Sequence, residues 1–405
     1  MTAVLAHGFG AGDNLPLPRW LLAYLLAFAV LLAALAIRVT SPRARWKTED
    51  TTPRTALVPA FIGLALYVLL VVLAATSATG EVGFVSVTII AMGWLGGLVI
   101  AVAVGRWLAA FSPFEAIGWL IDRRGEHPDS ERPTAPSWTA AAGLFAFLWF
   151  WLVYGLRAPN DREIAVFLGA YAVAVTAGIS VWGRGWLRNG EAFSAVFNLV
   201  FWRSLIRRGA VPGTTALVAV LLGGVAFDGL SQTGWWLDVT GAKSGFSLDV
   251  VNTIGLLWVT VVIGAVMVGA VRAATRLVDR DVPELGERFA VAVVPFAVAC
   301  WFAHELSTVL IDGQNFIALA SDPLGRGWDL FSTIDNPTNY AVLTPVQITT
   351  AGAVAILLGG AGGAILAHEA AFASLPPRDA LKAEWPLVVA LMLGVIAATA
   401  LLLGT

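Results

Sequence analysis

Long apolar stretches alternate with short polar ones along the whole chain. Each is long enough to cross a bilayer as a helix, since a span needs about 20 residues. The pattern predicts an all-α fold, a polytopic bundle of about ten transmembrane helices, with residues 1–405 forming one membrane domain and no separate soluble domain. The predicted spans are 18–38, 56–76, 84–110, 138–156, 163–183, 211–232, 249–272, 288–311, 346–368 and 386–404.

Composition supports a membrane protein. The chain is 58% hydrophobic and only 13% charged, whereas soluble proteins carry about 25% charged residues. The net charge of −2 and the absence of a Walker loop or dinucleotide fingerprint give no indication of a nucleic-acid or nucleotide partner. The expected partner is therefore the lipid bilayer. The single cysteine, Cys300, excludes an intramolecular disulfide.

Lysine and arginine are distributed unevenly between alternate loops. The loops after the odd-numbered spans hold 19 of them, while the even-numbered loops and the N-terminus hold 5. Under the positive-inside rule, the first set is cytoplasmic. We therefore expect a multi-pass protein of the cell (inner) membrane with both termini extracytoplasmic. The first span is expected to act as an uncleaved signal anchor.

Ionisable residues cluster at the outward end of the eighth predicted span, in the sequence AHELSTVLIDGQ. Glu305, Thr308 and Asp312 follow i, i+3, i+7 spacing, so they share one helix face, and His304 borders it. Such residues are costly within a membrane and usually face the bundle interior or a wet cavity. This stripe is therefore the first candidate site.

Other polar residues are expected on the same side. Asp228 lies near the end of span 211–232, in FDGLSQTGWW, and His7 lies in the N-terminal segment. Together with His304 they form a candidate ligand set for a divalent metal, zinc or copper. The same groups also fit a hydrogen-bonded lock between outer loops and helix ends. Asp322 in SDPLG fits either a site or a turn, because Asp before Pro favours a turn.

The sequence HELST begins like the zinc-protease motif HExxH but does not complete it. Thr308 stands where the second histidine is needed, and Phe372 stands at that place after His368–Glu369. By topology His368 lies on the cytoplasmic side, and an interfacial helix end is the expected role.

Small residues also predict helix packing. Gly359 and Gly363 have GxxxG spacing in the ninth span. This spacing favours close helix contact rather than chemistry. The amphipathic segments SPFEAIGWL and NGEAFSAVF are expected to lie on the inner surface, with Glu115 and Glu191 facing water.

Several short segments, in order, resemble bacterial membrane proteins known as fenitrothion hydrolase-like: LAHGFGAGDNLPLPRWL, PFEAIGWL, NGEAFSAVF, FDGLSQTGWW, AHELSTVLIDGQ and SDPLGRGWDLF. The resemblance runs from residue 5 to about residue 372. It implies hydrolysis of an aryl phosphorothioate ester. Trp301 and Gly360 stand where that family often has histidine. Many members also expose a histidine as first residue after signal cleavage, as a copper chelate, whereas His7 follows six residues here.

Three functions remain open from the sequence. The first is a metal-dependent hydrolase, with His304, Asp228 and His7 as metal ligands and Glu305 and Asp312 as catalytic residues, Glu305 being the general base. The second is a transporter or metal-handling protein, because intramembrane ionisable residues mark ion pathways. The third is a structural subunit of a membrane complex.

Overall fold

The computed structural model describes residues 18–40, 57–78, 83–104, 110–122, 136–154, 160–201 and 211–402. Within these ranges every regular element is a helix, which confirms the all-α prediction. The helices are α1 (Arg19–Thr40), α2 (Leu57–Thr76), α3 (Phe84–Val87, π-helical Thr88–Gly96 and Gly97–Val104), α4 (Pro113–Asp122), α5 (Trp138–Leu152), α6 (Asp161–Trp182), α7 (Leu187–Gly190), α8 (Ala192–Val200), α9 (Thr214–Ser231), α10 (Gly234–Thr240), α11 (Gly245–Val278), α12 (Leu285–Ser321), α13 (Pro345–Ser374) and α14 (Pro377–Leu402).

Nine helices in the described ranges are long and apolar enough to cross a membrane. They are α1, α2, α3, α6, α9, α11, α12, α13 and α14. Their lipid-facing character is visible in the large hydrophobic side chains that remain exposed on α1, α2 and α11. The protein is therefore a multi-pass membrane protein, as the sequence predicts.

The fourth predicted span corresponds to the shorter α5, which has 15 residues. At its start, Ser137 N donates to Pro212 O just before α9 (2.7 Å). Further along, Leu148 lies against Gly224 of α9. The two contacts are separated by nearly the same number of residues in each helix, so α5 runs parallel to α9. It follows that α5 packs along most of the length of α9, which is long enough to span a membrane.

Helix α12 forms the centre of the bundle and packs closely on α13. A Cβ at Gly359 would lie 2.7 Å from Pro295 O and 2.4 Å from Ala299 Cβ, and one at Gly363 would lie 3.0 Å from Ala292 O. Only glycine allows the two backbones to approach this closely. The packing predicted from the GxxxG spacing is confirmed. The pairing of later α13 residues with earlier α12 residues shows that the two helices are antiparallel.

Glu191 is buried, so the expectation that it faces water is wrong. Its carboxylate accepts hydrogen bonds from Phe193 N (3.0 Å) and Ser194 N (2.7 Å) at the start of α8. The Tyr171 hydroxyl of α6 also donates to it. The side chain therefore caps a helix inside the bundle. Glu115 is one-fifth exposed and pairs with Arg184 at 2.7 Å.

Candidate metal centre

The site lies between α9 and α12, whose relative register is set by two hydrogen bonds. Near the start of both helices, Thr215 N donates to Glu287 Oε2 (2.8 Å). In the middle, the Trp301 indole donates to Leu221 O (2.8 Å). Later α12 residues thus lie beside later α9 residues, and the helices run parallel.

Beyond the Trp301–Leu221 bond, one turn further along α12 and two turns further along α9, Asp228 and His304 come together. His304 Nε2 lies 3.4 Å from Asp228 Oδ2, and the two side chains are 4% and 8% exposed. Glu305 follows His304 directly. Donor atoms from all three residues lie within 4.8 Å of one another. The predicted proximity of Asp228 and His304 is confirmed, and Glu305 joins them.

Gln232, which lies one turn beyond Asp228, is a further member of the cluster. Its amide Nε2 lies 3.4 Å from Asp228 Oδ1 and 3.3 Å from His304 Nε2. Gln232 follows Asp228 by four residues at the end of α9, which is the spacing of one helix face. Rotation of the amide by 180° would bring its oxygen to the same place.

Glu305 is the most deeply buried member of the cluster, at 2% exposure. Neither of its carboxylate oxygens makes a hydrogen bond of normal geometry with a described residue, although the side chains of Asp228 and Thr308 lie close enough to interact with it. Buried polar groups normally have a hydrogen-bonding or ionic partner, and a carboxylate without one is costly. A cation or a proton in the cluster would remove this cost.

Aromatic rings enclose the cluster on the side of Trp301. Its indole stacks on Trp151 of α5 (centroids 5.6 Å apart) and meets Trp94 edge-on (5.7 Å). Trp94 lies in the π-helical part of α3. These rings exclude water, so charges in the cluster interact in a medium of low dielectric constant. Trp301 thus has a packing role beside the cluster.

The donor set fits a divalent transition metal. It combines an imidazole nitrogen with two carboxylates, which are ordinary ligands of zinc. A tetrahedral ion with ligand bonds near 2.1 Å requires donors about 3.4 Å apart. The distance between His304 Nε2 and Asp228 Oδ2 has this value. The Glu305 carboxylate lies within 4.8 Å of both donors, and a small side-chain movement would bring it to the same distance.

The remaining predicted site residues have different placements. Asp312 is buried at 9% exposure on the same helix, but it does not belong to the group of donors within 4.8 Å. Asp322 accepts from Arg326 N (2.9 Å) and Gly327 N (2.7 Å). It therefore supports a turn, which is one of the two roles expected. His7 lies outside the described residues.

A second buried polar group lies around His368. Its Nδ1 is 2.7 Å from Glu384 Oε2, and Glu384 Oε1 is 2.9 Å from Arg38 Nε. His368 is 1% exposed and stacks on Phe372. His368 is therefore enclosed between helices and not exposed to solvent at a helix end. The three side chains come from α13, α14 and α1, and they join these helices through an internal polar network that contains the Arg38–Glu384 ion pair.

The two histidines lie on opposite halves of the bundle. Because α12 and α13 are antiparallel and Gly359 packs on Ala299, His304 is level with a point about fourteen residues before His368. At 1.5 Å per residue this is roughly 20 Å along the axis. The His368 network is thus separate from the Asp228–His304–Glu305 cluster.

Comparisons with family models, curated proteins and solved structures found no match to the chain. The fold and the cluster themselves define the class. The chain is a polytopic, all-α membrane protein with a buried histidine–carboxylate group whose donors can hold a metal ion.

Proposed function

We propose that this protein holds one divalent transition-metal ion, zinc or copper, in its membrane-embedded core. Asp228, His304 and Glu305 would bind it, and Gln232 would complete the set through its amide oxygen. The observation that carries the proposal is the grouping of three buried donors within 4.8 Å. Two carboxylates and an imidazole at this spacing need a positive charge among them.

The competing explanation is a hydrogen-bonded lock between α9 and α12. A lock of this kind should show short, charge-assisted hydrogen bonds of about 2.7–2.9 Å. The His304–Asp228 separation of 3.4 Å is longer, and neither Glu305 oxygen makes a hydrogen bond of normal geometry with a described residue. A metal centre accounts for both observations. A proton shared by Glu305 and Asp228 would also neutralise the pair, and metal analysis distinguishes the two explanations.

The activity that we propose first is metal-dependent hydrolysis of a phosphoester, following the resemblance to fenitrothion hydrolase-like proteins. A bound ion would lower the pKa of a coordinated water and polarise a phosphoryl oxygen. Glu305 holds the ion in this arrangement and is then not free to act as general base. Asp312, on the same helix but outside the ligand group, is the better placed carboxylate for that role.

Metal handling is the second candidate function, and the burial of the ligands favours it. Asp228, His304 and Glu305 are each at most 9% exposed. An ion reaches such a site more readily than an aryl ester does. Ionisable residues within membrane helices commonly mark an ion pathway. From the lysine and arginine distribution, we place the cluster towards the extracytoplasmic side and both termini on that side.

The test is metal analysis of the full chain purified in detergent without chelator. We expect about one equivalent of zinc or copper per chain. Protein free of metal in both the as-purified and the metal-reconstituted state would overturn the proposal. Hydrolysis of an aryl phosphorothioate by the loaded protein would then support an enzyme. Uptake of zinc or copper ions by proteoliposomes without hydrolysis would support metal handling.

A further inference from the structure

A cavity of about 300 Å³ opens at the end of the bundle opposite Asp228. It lies between the last turns of α11, the connection to α12 and the first turns of α12, and Leu387 of α14 closes one side. Its volume is at the lower end of the range of ligand sites. It therefore suits a small ligand or the headgroup of a larger one.

The lining changes from apolar to charged along the cavity. Met267, Val271 and Phe289 form the apolar part of the lining. Arg272, Thr275 and Asp281 follow towards the helix ends. Apolar walls next to a charged rim match the boundary between acyl chains and headgroups in a bilayer.

The rim carries one charge of each sign. Arg272 and Asp281 are both exposed, and neither forms an ion pair with a residue that the structure describes. Nearby cations differ in this respect, because Arg280 pairs with Asp379 (2.9 Å) and Arg288 with Glu284 (2.9 Å). Arg272 and Asp281 are thus available to an external partner that carries both charges.

We infer that this cavity binds the headgroup of a zwitterionic aminophospholipid of the phosphatidylethanolamine type. The Arg272 guanidinium would hold the phosphate by two parallel N–H···O bonds. The Asp281 carboxylate would accept from the primary ammonium, and the glycerol end would lie against Met267, Val271 and Phe289. An anionic lipid has no ammonium group to pair with Asp281, so the carboxylate would repel its headgroup.

The test measures lipid binding to the detergent-purified full chain by native mass spectrometry. Soluble dioctanoyl-phosphatidylethanolamine is titrated against dioctanoyl-phosphatidylglycerol and dioctanoyl-phosphatidylcholine. We expect the wild-type protein to prefer phosphatidylethanolamine. Arg272→Gln and Asp281→Asn should each weaken its binding about tenfold, which corresponds to one charge-assisted hydrogen bond. Asp281→Asn should also improve phosphatidylglycerol binding, because a repulsive charge is removed.

Arg276→Gln is the matched control. Arg276 is an exposed cation one turn further along α11 and does not line the cavity, so this variant should bind as the wild type does. Equal binding of all three lipids, a preference for phosphatidylglycerol in the wild type, or unchanged binding by Arg272→Gln would each overturn the inference. Both charged positions are exposed, so the variants should keep the thermal stability of the wild type.

Discussion

The Trp301 indole donates a hydrogen bond to the main-chain oxygen of Leu221 at 2.8 Å. This single bond joins α12 to α9 one helical turn before His304 and two turns before Asp228. Because helices are stiff over one or two turns, fixing this point also fixes the distance between the two side chains. The position of the candidate metal centre thus depends in part on a residue outside the proposed ligand set.

Trp301→Phe should weaken metal binding without removing any ligand. We expect a loss of about 1–3 kcal/mol in the free energy of unfolding, from the hydrogen bond and the smaller ring. Metal affinity, measured by competition with a chromogenic chelator, should also fall. Trp151→Phe is the control, since it removes ring packing beside Trp301 but no bond to α9. Equal metal affinity in the two variants would argue against a register role for Trp301.

His304→Gln should abolish metal binding while the protein remains folded. The amide keeps hydrogen-bonding capacity but does not replace the imidazole as a ligand. Thermal stability of the metal-free variant should stay close to that of the metal-free wild type. Asp312→Asn serves as the comparison, because Asp312 lies on the same helix outside the ligand group, and it should retain metal. Full metal occupancy in stable His304→Gln protein contradicts the proposed centre.

Glu305→Gln should affect the two metal states differently. Without metal, the substitution replaces a buried carboxyl group beside Asp228 by a neutral amide of similar shape, so the melting temperature should stay close to that of the wild type. With saturating zinc, the stabilisation seen in the wild type should be lost, because stabilisation by a ligand follows its affinity. Thermal melts with and without zinc measure both effects. A variant that is destabilised without metal would indicate that Glu305 has a structural partner.

Glu384→Gln should destabilise the bundle strongly and leave the metal centre intact. The substitution leaves Arg38 and His368 without the carboxylate that they share. Removing one partner of a buried ion pair costs about 3–5 kcal/mol in the free energy of unfolding. Asp379→Asn removes the partner of the half-exposed Arg280 and should cost at most about 1 kcal/mol. Chemical unfolding in mixed micelles gives both values, and metal content should be unchanged. Similar costs for the two variants would mean that the His368 network contributes little.

Sidedness is tested by cysteine labelling in a Cys300→Ser background. Tyr340→Cys, in the exposed connection between α12 and α13, should react with an impermeant maleimide in intact cells. Arg276→Cys, at the other end of the bundle, should react only after permeabilisation, because lysine and arginine concentrate at that end. Labelling of the second position alone would reverse the orientation that we propose.

The sequence by itself determined the elements and the stripe on α12. Apolar runs near bilayer length predict membrane helices because no other single segment satisfies its backbone in lipid. Helical periodicity placed Glu305, Thr308 and Asp312 on one face. GxxxG spacing predicted the close approach of α13, and Gly359 makes that contact on Pro295 and Ala299. Each of these properties depends on residues close together in the chain.

Only the tertiary structure decided which polar groups meet. Asp228 and His304 are joined by the register of two parallel helices, and that register depends on the bonds Trp301–Leu221 and Glu287–Thr215. In the same way, helix packing brought Glu384 to His368. A periodic pattern specifies which face of a helix is polar but not which helix lies opposite. That choice is made by side-chain packing between residues distant in sequence.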